Sequence, residues 1–285
     1  MGLTTEQLAA RRLGIGGSEI AALLGEDQFS GPLDVWLSKV HGWVRPENED
    51  MRRGTHLEAG IAEWAAERMG WDERTPGSVL HATCPVARCT PDRLVCGDTG
   101  PQALLSIKAP RRGGWPWGED GSSDVPPGYA LQLQWEHSCV SSREPVSSTL
   151  YLAALLDGDL RIYKLAADIE LQAWMLEYAV AWWRTYVEPA KEPPLVGAGA
   201  RAWLRTKFAT SRAEVRAATP SEDVTMLRLR EAERVAARAE EDAEAARLEL
   251  MRAIGSAGGL ESPAGRVTWR ADKNGKRIFR TKWKE

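Results

Sequence analysis

Two short stretches decide the fold: TPDRLV over residues 90–95 and LLSIK over residues 104–108. The first places Asp92 directly before an apolar run, and the second ends an apolar run in Lys108. Apolar runs of this length, bounded by proline and glycine, are typical of strands. The sequence therefore predicts an acidic residue at the bend before one strand and a lysine at the end of the next.

The segments around these strands predict an α/β fold, with a mixed sheet flanked by helices. Apolar spacing predicts helices over residues 4–12, 19–24, from 32, 54–69, 129–139 and 168–187. Alternation and turn residues predict strands over residues 79–80, 86–89, 93–96, 103–108, 147–155 and 160–165. Ser18 is expected to be the N-cap of the second helix. We expect Trp174, Trp182 and Trp183 to lie in the core.

The C-terminal part has a different residue pattern, so we expect a domain over residues 1–200, a basic linker over 201–220 and an appendage over 221–285. A long helix with apolar residues at alternating spacings of three and four predicts packing against a partner helix, in the same chain or another. These seam residues are Leu229, Ala232, Ala236, Ala239, Ala243, Ala246 and Leu250. A β-hairpin is predicted around the turn Asn274-Gly275.

Charge is divided unequally along the chain. The net charge is −3, but residues 1–200 hold 18 Lys and Arg against 27 Asp and Glu, whereas residues 201–285 hold 19 against 13. A near-neutral total therefore does not exclude nucleic acid, and the hairpin from Arg266 onward could contact phosphates. No apolar run is long enough to span a bilayer, and residues 1–12 do not resemble a signal peptide, so a cytoplasmic location in a bacterial or phage-infected cell is expected.

The cysteines do not define a site. Cys84, Cys89, Cys96 and Cys139 are too few for a disulfide framework, and their spacing lacks the close pairs of zinc ribbons. An iron–sulfur cluster is an alternative whose known spacings this sequence does not match. Reduced, mostly buried thiols are the preferred interpretation.

An acidic residue at a strand bend, followed by a strand ending in x-Ile-Lys, resembles the PD-(D/E)XK nucleases, which have a restriction-endonuclease-like core. Within that superfamily the chain resembles the YqaJ-type viral recombinases, relatives of the lambda exonuclease, over about residues 11–187. The terminal Val267-Thr268-Trp269 and hairpin resemble tails of phage members. The matching segments, in family order, are Arg11 with residues 15–21, then residues 32–36, 54–58, 91–92, 107–108 and 132–134.

The resemblance implies a metal-dependent active site. Asp92, Glu58 and the main-chain carbonyl of Ile107 match the metal ligands, which would bind Mg²⁺, with Mn²⁺ able to substitute. Lys108 matches the catalytic lysine, and Gln132 matches a helix residue that faces the active site. A hard divalent cation bound by oxygen ligands stabilises charge on the scissile phosphate.

Ser106 departs from the family pattern, because the family has a carboxylate at this position. A neutral hydroxyl is a weaker ligand for Mg²⁺. One explanation is that another carboxylate replaces it, and Glu136, one helical turn beyond Gln132, is the best candidate. Alternatively, the chain has lost catalysis and only binds, or Ser106 is an introduced inactivating substitution.

The resemblance also implies DNA contacts. Arg11 and Ser18 match positions that hold a 5′-phosphate in exonuclease relatives, which agrees with the affinity of helix N-termini for anions. In the loop after Lys108, the side chains of Arg111, Arg112, Trp115 and Trp117 either contact DNA by stacking on unpaired bases or pack within the loop.

Together these features predict a Mg²⁺-dependent nuclease, a 5′-to-3′ exonuclease on duplex ends in phage-type recombination. The family resemblance implies a single-strand annealing protein as partner and a ring-shaped homotrimer, with no membrane association. A catalytically inactive protein that binds DNA ends or acts as a scaffold on the same fold is the alternative function.

Overall fold

A computed structural model describes residues 11–97, 102–110, 117–195, 200–211, 213–272 and 275–284. The chain divides into two compact units, Met1–Thr210 and Ser211–Glu285. Of the predicted elements, the helix over residues 4–12 lies almost wholly outside the described residues. No helix in the described ranges is both long and apolar enough to cross a membrane.

The first unit is built on a five-stranded mixed sheet of order β1-β4-β5-β6-β7. Neighbouring strands are antiparallel except β5 and β6, which are parallel. A separate two-stranded ladder joins β2 and β3. The strands are β1 (Asp72–Arg74), β2 (Val79–Leu80), β3 (Arg88–Cys89), β4 (Arg93–Cys96), β5 (Ala103–Lys108), β6 (Thr149–Leu156) and β7 (Asp159–Ala166).

Helices surround this sheet, which confirms the predicted α/β class. The helices are α1 (Gly17–Leu23), α2 (Pro32–His41), α3 (Glu49–Met69), α4 (Pro127–Ser141), α5 (Ile169–Trp182) and α6 (Ala200–Lys207). A π-helical turn, Trp183–Val187, continues α5. Helix α4 lies in the crossover between the parallel strands β5 and β6, as such a connection requires.

Two apolar layers lie on opposite faces of the sheet. One layer joins α1, α2, α4 and α5 to the sheet and includes Leu104 and Leu133. The other joins α3 to the sheet and includes Ile61, Leu105 and Ile107. Because side chains alternate along a strand, successive residues of β5 face α4 and α3 in turn.

Two details differ from the sequence predictions. Helix α3 begins at Glu49 rather than residue 54, because the Asn48 side chain accepts a hydrogen bond from Met51 N at 2.9 Å and caps it there. The expected burial of Trp174 is wrong: it is 50% exposed. The buried stripe of α5 instead runs through Met175 and Trp182, one position further around the helix.

The second unit consists of helix α7 (Pro220–Ile254) and a three-stranded antiparallel sheet. Strands β9 (Gly265–Ala271) and β10 (Arg277–Trp283) confirm the predicted hairpin, whose turn residue Asn274 lies outside the described residues. Strand β8 (Gly259–Ser262) was not predicted. Most of the α7 seam is exposed within this unit, so its packing against a partner stays a prediction.

Candidate active site

Asp92, Ser106 and Lys108 meet where β4 begins and β5 ends. Oδ2 of Asp92 accepts hydrogen bonds from Ile107 N at 2.7 Å and from Ser106 Oγ at 3.1 Å. Lys108 Nζ lies 3.9 Å from the same oxygen. Strand β4 pairs with β5 so that Arg93 lies opposite Leu105, which sets Asp92 beside Ser106. The two predicted stretches therefore come together as their antiparallel register requires.

These three side chains lie on the sheet face that α4 covers. Leu104 belongs to the apolar layer of α4, whereas Leu105 and Ile107 belong to that of α3. Two-residue alternation then places Ser106 and Lys108 on the α4 side. The Lys108 ammonium lies 5.4 Å from the ring centre of Tyr129, a residue of α4. The site is therefore enclosed between the ends of the two strands and α4.

Glu136 supplies a second carboxylate from α4. It is 3% exposed, and its Oε1 accepts a hydrogen bond from Gln132 Nε2 at 2.8 Å. Its Oε2 is buried with no hydrogen-bond partner among the described residues. Burial raises the pKa of Glu136 to about 8, the charge of Asp92 adds to this rise, and Lys108 opposes it. The structure thus brings Glu136 into the electrostatic neighbourhood of Asp92 and Lys108.

A glycine on α1 lets that helix approach Glu136 closely. A Cβ atom on Gly17 would lie 2.9 Å from Gln132 Cγ and 3.0 Å from Glu136 Oε1. Such distances are shorter than ordinary van der Waals contacts, so either α1 or the two side chains would have to move. Gly17, to which the sequence alone assigned no individual role, is therefore a spacer beside the candidate site.

Replacing Gly17 by alanine is expected to lower the free energy of unfolding by about 1–3 kcal/mol, because the methyl group overpacks the contact between α1 and α4. Thermal unfolding measures the change. Gly60→Ala in α3 is the matched control, because a Cβ there meets nothing within 4 Å and alanine favours a helix by about 0.5–1 kcal/mol. Equal stability of Gly17→Ala and the wild-type protein would contradict the prediction.

Glu58 comes from α3, the layer on the other face of the sheet. Its Oε1 accepts a hydrogen bond from the Arg93 guanidinium at 3.0 Å. Arg93 also binds Glu73 at 3.1 Å and the main-chain carbonyl of Asp92 at 2.6 Å. The structure therefore links Glu58 to Asp92 through Arg93, and its role as a metal ligand stays a prediction. Arg93 was missed, because its partners become neighbours only through the pairing of β1 with β4 and the packing of α3.

The region predicted to hold a 5′-phosphate lies around α1. Helix α1 begins at Gly17 with Gly16 as its N-cap, so the expectation that Ser18 is the N-cap is wrong. The Gly16 amide donates to Glu19 Oε2 at 2.7 Å, so the Glu19 carboxylate satisfies this first-turn group. Ser18 is exposed and lines two cavities, of about 530 and 180 Å³. Arg11 lines the larger one and Gln132 the smaller one.

Lys39 is a buried cation behind this region that sequence reasoning also missed. Its Nζ donates to Glu19 Oε1 at 2.6 Å and to the main-chain carbonyl of Arg11 at 2.7 Å. Burial lowers the pKa of Lys39, and the charge of Glu19 opposes that shift. A lysine three residues after Trp36, on the apolar side of α2, was the available signal. Lys39 fixes the main chain at Arg11 relative to α1.

The loop after Lys108 is described only from Trp117 onward. Arg111, Arg112 and Trp115 lie outside the described residues. The Trp117 ring lies 5.6 Å from that of Tyr129 and 5.4 Å from that of Tyr163. Trp117 therefore packs against the apolar layer of α4 in this structure.

The donor set suits a hard cation rather than zinc or an iron–sulfur cluster. Among the described residues, no three His, Cys, Asp or Glu side chains are grouped as a metal cluster, and the four cysteines are free. The partnerless Oε2 of Glu136 and the carboxylate of Asp92 are instead two oxygen donors. Magnesium is commonly held by one or two carboxylates, with water and substrate phosphate completing its shell. The residues present therefore fit Mg²⁺ or Mn²⁺.

Comparison with solved structures establishes the fold class. Two crystal structures of LHK-Exo, an alkaline exonuclease from Laribacter hongkongensis, resemble the chain with TM-scores of 0.52 and 0.50. The first of them is a complex with dAMP. Each match covers 72% of this chain and 98% of the other, at 20% and 19% identity respectively. The chain therefore has the exonuclease-type α/β fold.

Sequence comparison shows similarity to one protein family. Residues 6–142 match the model of the YqaJ-like viral recombinase domain. The chain is also 27% identical over 210 residues to a Bacillus subtilis (strain 168) protein, "Uncharacterized protein YqaJ". That match covers 72% of this chain and 63% of the relative's length. The predicted family resemblance is confirmed.

Proposed function

We propose that this chain is a divalent-metal-dependent deoxyribonuclease that digests duplex DNA from its ends, in the 5′-to-3′ direction, during phage-type recombination. The observation that carries the proposal is the cluster of Asp92, Ser106 and Lys108, with the buried Glu136 carboxyl group within electrostatic reach of Asp92 and Lys108. The match of residues 6–142 to the YqaJ-like family model supports the same chemistry. The fold of an alkaline exonuclease is consistent with it.

Asp92 and Glu136 would hold the Mg²⁺ or Mn²⁺ ion, with the Ile107 carbonyl as a further predicted ligand. The cation, when bound, supplies Lewis-acid stabilisation of the charge that develops on the scissile phosphate. Two carboxylates compensate for the neutral Ser106, whose hydroxyl donates to Asp92 and holds that carboxylate in place. Glu58 stays a predicted ligand that would have to exchange its contact with Arg93.

The remaining side chains would orient water and substrate. Lys108, 15% exposed and close to Asp92, would position or activate the attacking water. Gln132 holds the Glu136 carboxylate through its amide. Arg11 and Ser18 would bind the terminal 5′-phosphate, because Ser18 lines both the cavity that contains Arg11 and the cavity that contains Gln132. A single-strand annealing partner, a ring-shaped trimer and a cytoplasmic location are proposed on the family resemblance.

The test is digestion of a linear, 5′-phosphorylated duplex labelled at one 5′ end, with a covalently closed circle as control. With Mg²⁺ or Mn²⁺ we expect the linear DNA to be degraded with early release of the 5′ label, and the circle to stay intact. EDTA or the Asp92→Asn substitution should stop digestion. An intact linear duplex that the protein nevertheless binds tightly would overturn the proposed nuclease activity.

That outcome would support the second candidate, a protein that binds DNA ends without cleaving them. The observation that favours it is Ser106, which is 1% exposed and satisfies the Asp92 carboxylate without adding charge. A Ser106→Glu variant distinguishes the two functions. Activity gained from an inactive wild-type protein indicates a site that has lost its carboxylate.

A further inference from the structure

We propose that one face of the small sheet in the second unit binds the phosphates of duplex DNA, independently of DNA ends. This inference rests on the proposed function, which makes DNA the substrate. We define the basic face by its four exposed side chains, Arg266, Arg270, Arg280 and Lys282. It would hold the DNA backbone while the first unit cleaves the DNA.

Strand register collects these four residues on one face. Arg266 lies opposite Lys282, and Arg270 lies opposite Ile278, in the antiparallel pair of β9 and β10. Arg280 lies opposite Thr268 in the same register. Alternating residues point to one side of a sheet, so all four cations share a face.

The other face of the sheet is its apolar side. Val267 of β9 is buried, as is Ile254 at the end of α7. The Arg277 guanidinium stacks on Trp269 at 3.8 Å and donates to the Gly255 and Ala257 carbonyls, so this cation is used within the unit. The exposed cations of β9 and β10 therefore lie on the basic face, whereas the exposed part of the other face includes Trp283, which is 63% exposed.

The charge arrangement is unfavourable unless an anion is present. Like charges that lie directly opposite each other, as Arg266 and Lys282 do, destabilise an antiparallel pair. Glu261 of β8 forms an ion pair with Arg266 at 2.7 Å, which compensates the charge of one of the four cations. Arg280 and Lys282 form no ion pair with the described residues. A polyanion would relieve the remaining repulsion.

Spacing and composition favour nucleic acid as that polyanion. Side chains two residues apart on a strand, such as Arg280 and Lys282, are separated by about 7 Å, comparable with the distance between successive backbone phosphates. Residues 255–285 hold eight Lys and Arg against three Asp and Glu. The face contains one apolar side chain, Ile278, and lacks the Trp, Phe and Leu side chains that peripheral proteins insert into lipid.

The experiment compares two full-chain variants that remove equal charge. Arg270→Gln/Arg280→Gln/Lys282→Gln alters the basic face, and Arg228→Gln/Arg230→Gln/Arg238→Gln alters exposed arginines of α7. Binding is measured in EDTA by fluorescence anisotropy, across a salt series. The probe is a duplex closed by hairpins at both ends, so that the predicted 5′-phosphate site cannot contribute.

We expect the basic-face variant to bind DNA at least ~10-fold more weakly. We also expect the negative slope of log K against log salt to become smaller in magnitude by about 3, roughly 0.9 for each phosphate that the variant no longer neutralises. The α7 variant should change both quantities far less. Equal changes in the two variants would overturn the inference, as would weakened binding to anionic lipid vesicles with unchanged DNA binding. Should the triple variant aggregate, because charged edge strands oppose association, Arg280→Gln alone should lower the slope by about 1.

Failure of this inference is distinguishable from failure of the proposed function. If the wild-type protein digests linear duplex but both variants bind the closed duplex normally, only the basic face is wrong. If the wild-type protein neither digests DNA nor binds it, the proposed function is wrong as well.

Discussion

Replacing Glu136 by glutamine is expected to lower the rate of DNA cleavage at least ~100-fold, the usual loss when an electrostatic contact to the reacting centre is removed. Glutamine keeps the size of the side chain and an oxygen that accepts from Gln132, but it removes one of the two carboxylates available to a cation. The affinity for Mn²⁺, measured by calorimetry without DNA, should fall together with the rate. Steady-state digestion of a linear duplex measures the rate.

Glu63→Gln on the exposed side of α3 is the matched control, because it removes the same charge away from the site. We expect its cleavage rate and Mn²⁺ affinity to equal those of the wild-type protein. Normal cleavage and normal Mn²⁺ binding by Glu136→Gln would show that Glu136 does not replace the carboxylate missing at Ser106.

The Glu136→Gln variant should be more stable than the wild-type protein in EDTA at alkaline pH. The pKa of Glu136 is about 8 in the folded protein, above the value of 4.5 of a free side chain. Between these two pH values the folded protein therefore keeps the proton on Glu136, whereas the unfolded chain releases it. Its contribution to stability is complete below the lower value and is lost as the pH rises to about 8. Glutamine does not titrate, so its advantage grows over that range, to the order of several kcal/mol.

Urea unfolding at several pH values measures this effect. Parallel pH profiles for Glu136→Gln and the wild-type protein would contradict it. A variant that is more stable and yet inactive cannot have lost activity through unfolding, so the stability measurement also validates the interpretation of the cleavage rate.

The sequence predicted the strands of the site well because their signals are local. The first stretch contains Pro91 near its start and the second ends at Lys108, and β5 has the predicted bounds, Ala103–Lys108. Glu136 was placed near Gln132 by helical spacing alone, and the structure brings both side chains against Gly17. Pairing in a helix depends on residues four positions apart, which a sequence shows directly.

Features that depend on contacts distant in sequence could not be predicted. Arg93 joins Glu58, Glu73 and the Asp92 carbonyl only after α3 and β1 have packed on β4. The buried pair of Lys39 and Glu19 depends likewise on how α2 meets α1. An ionic side chain on an amphipathic helix is by default solvated, so its burial has no sequence signal stronger than its position in the stripe. These ion pairs orient the site residues, but the partners of Arg93 and Lys39 could be identified only from the structure.

Replacing Lys108 by methionine is expected to lower cleavage about 10²–10⁴-fold, the usual range for the loss of a group that transfers or positions a proton. Methionine retains the aliphatic stem, which lies near the Tyr129 ring, so the fold should be preserved. DNA binding in EDTA should change by less than the effect on cleavage. Wild-type cleavage by Lys108→Met would contradict a catalytic role.

The effect of Lys108→Met on cation binding separates the two roles in the site. Lys108 Nζ lies 3.9 Å from Asp92 Oδ2, and its charge lowers the pKa of Glu136 against the effects of burial and of Asp92. Without this positive charge, the two carboxylates attract a divalent cation more strongly. We therefore expect tighter Mn²⁺ binding in Lys108→Met but weaker binding in Glu136→Gln, although both variants lose cleavage. Weaker Mn²⁺ binding in both would mean that Lys108 holds the carboxylates in place rather than acting on water.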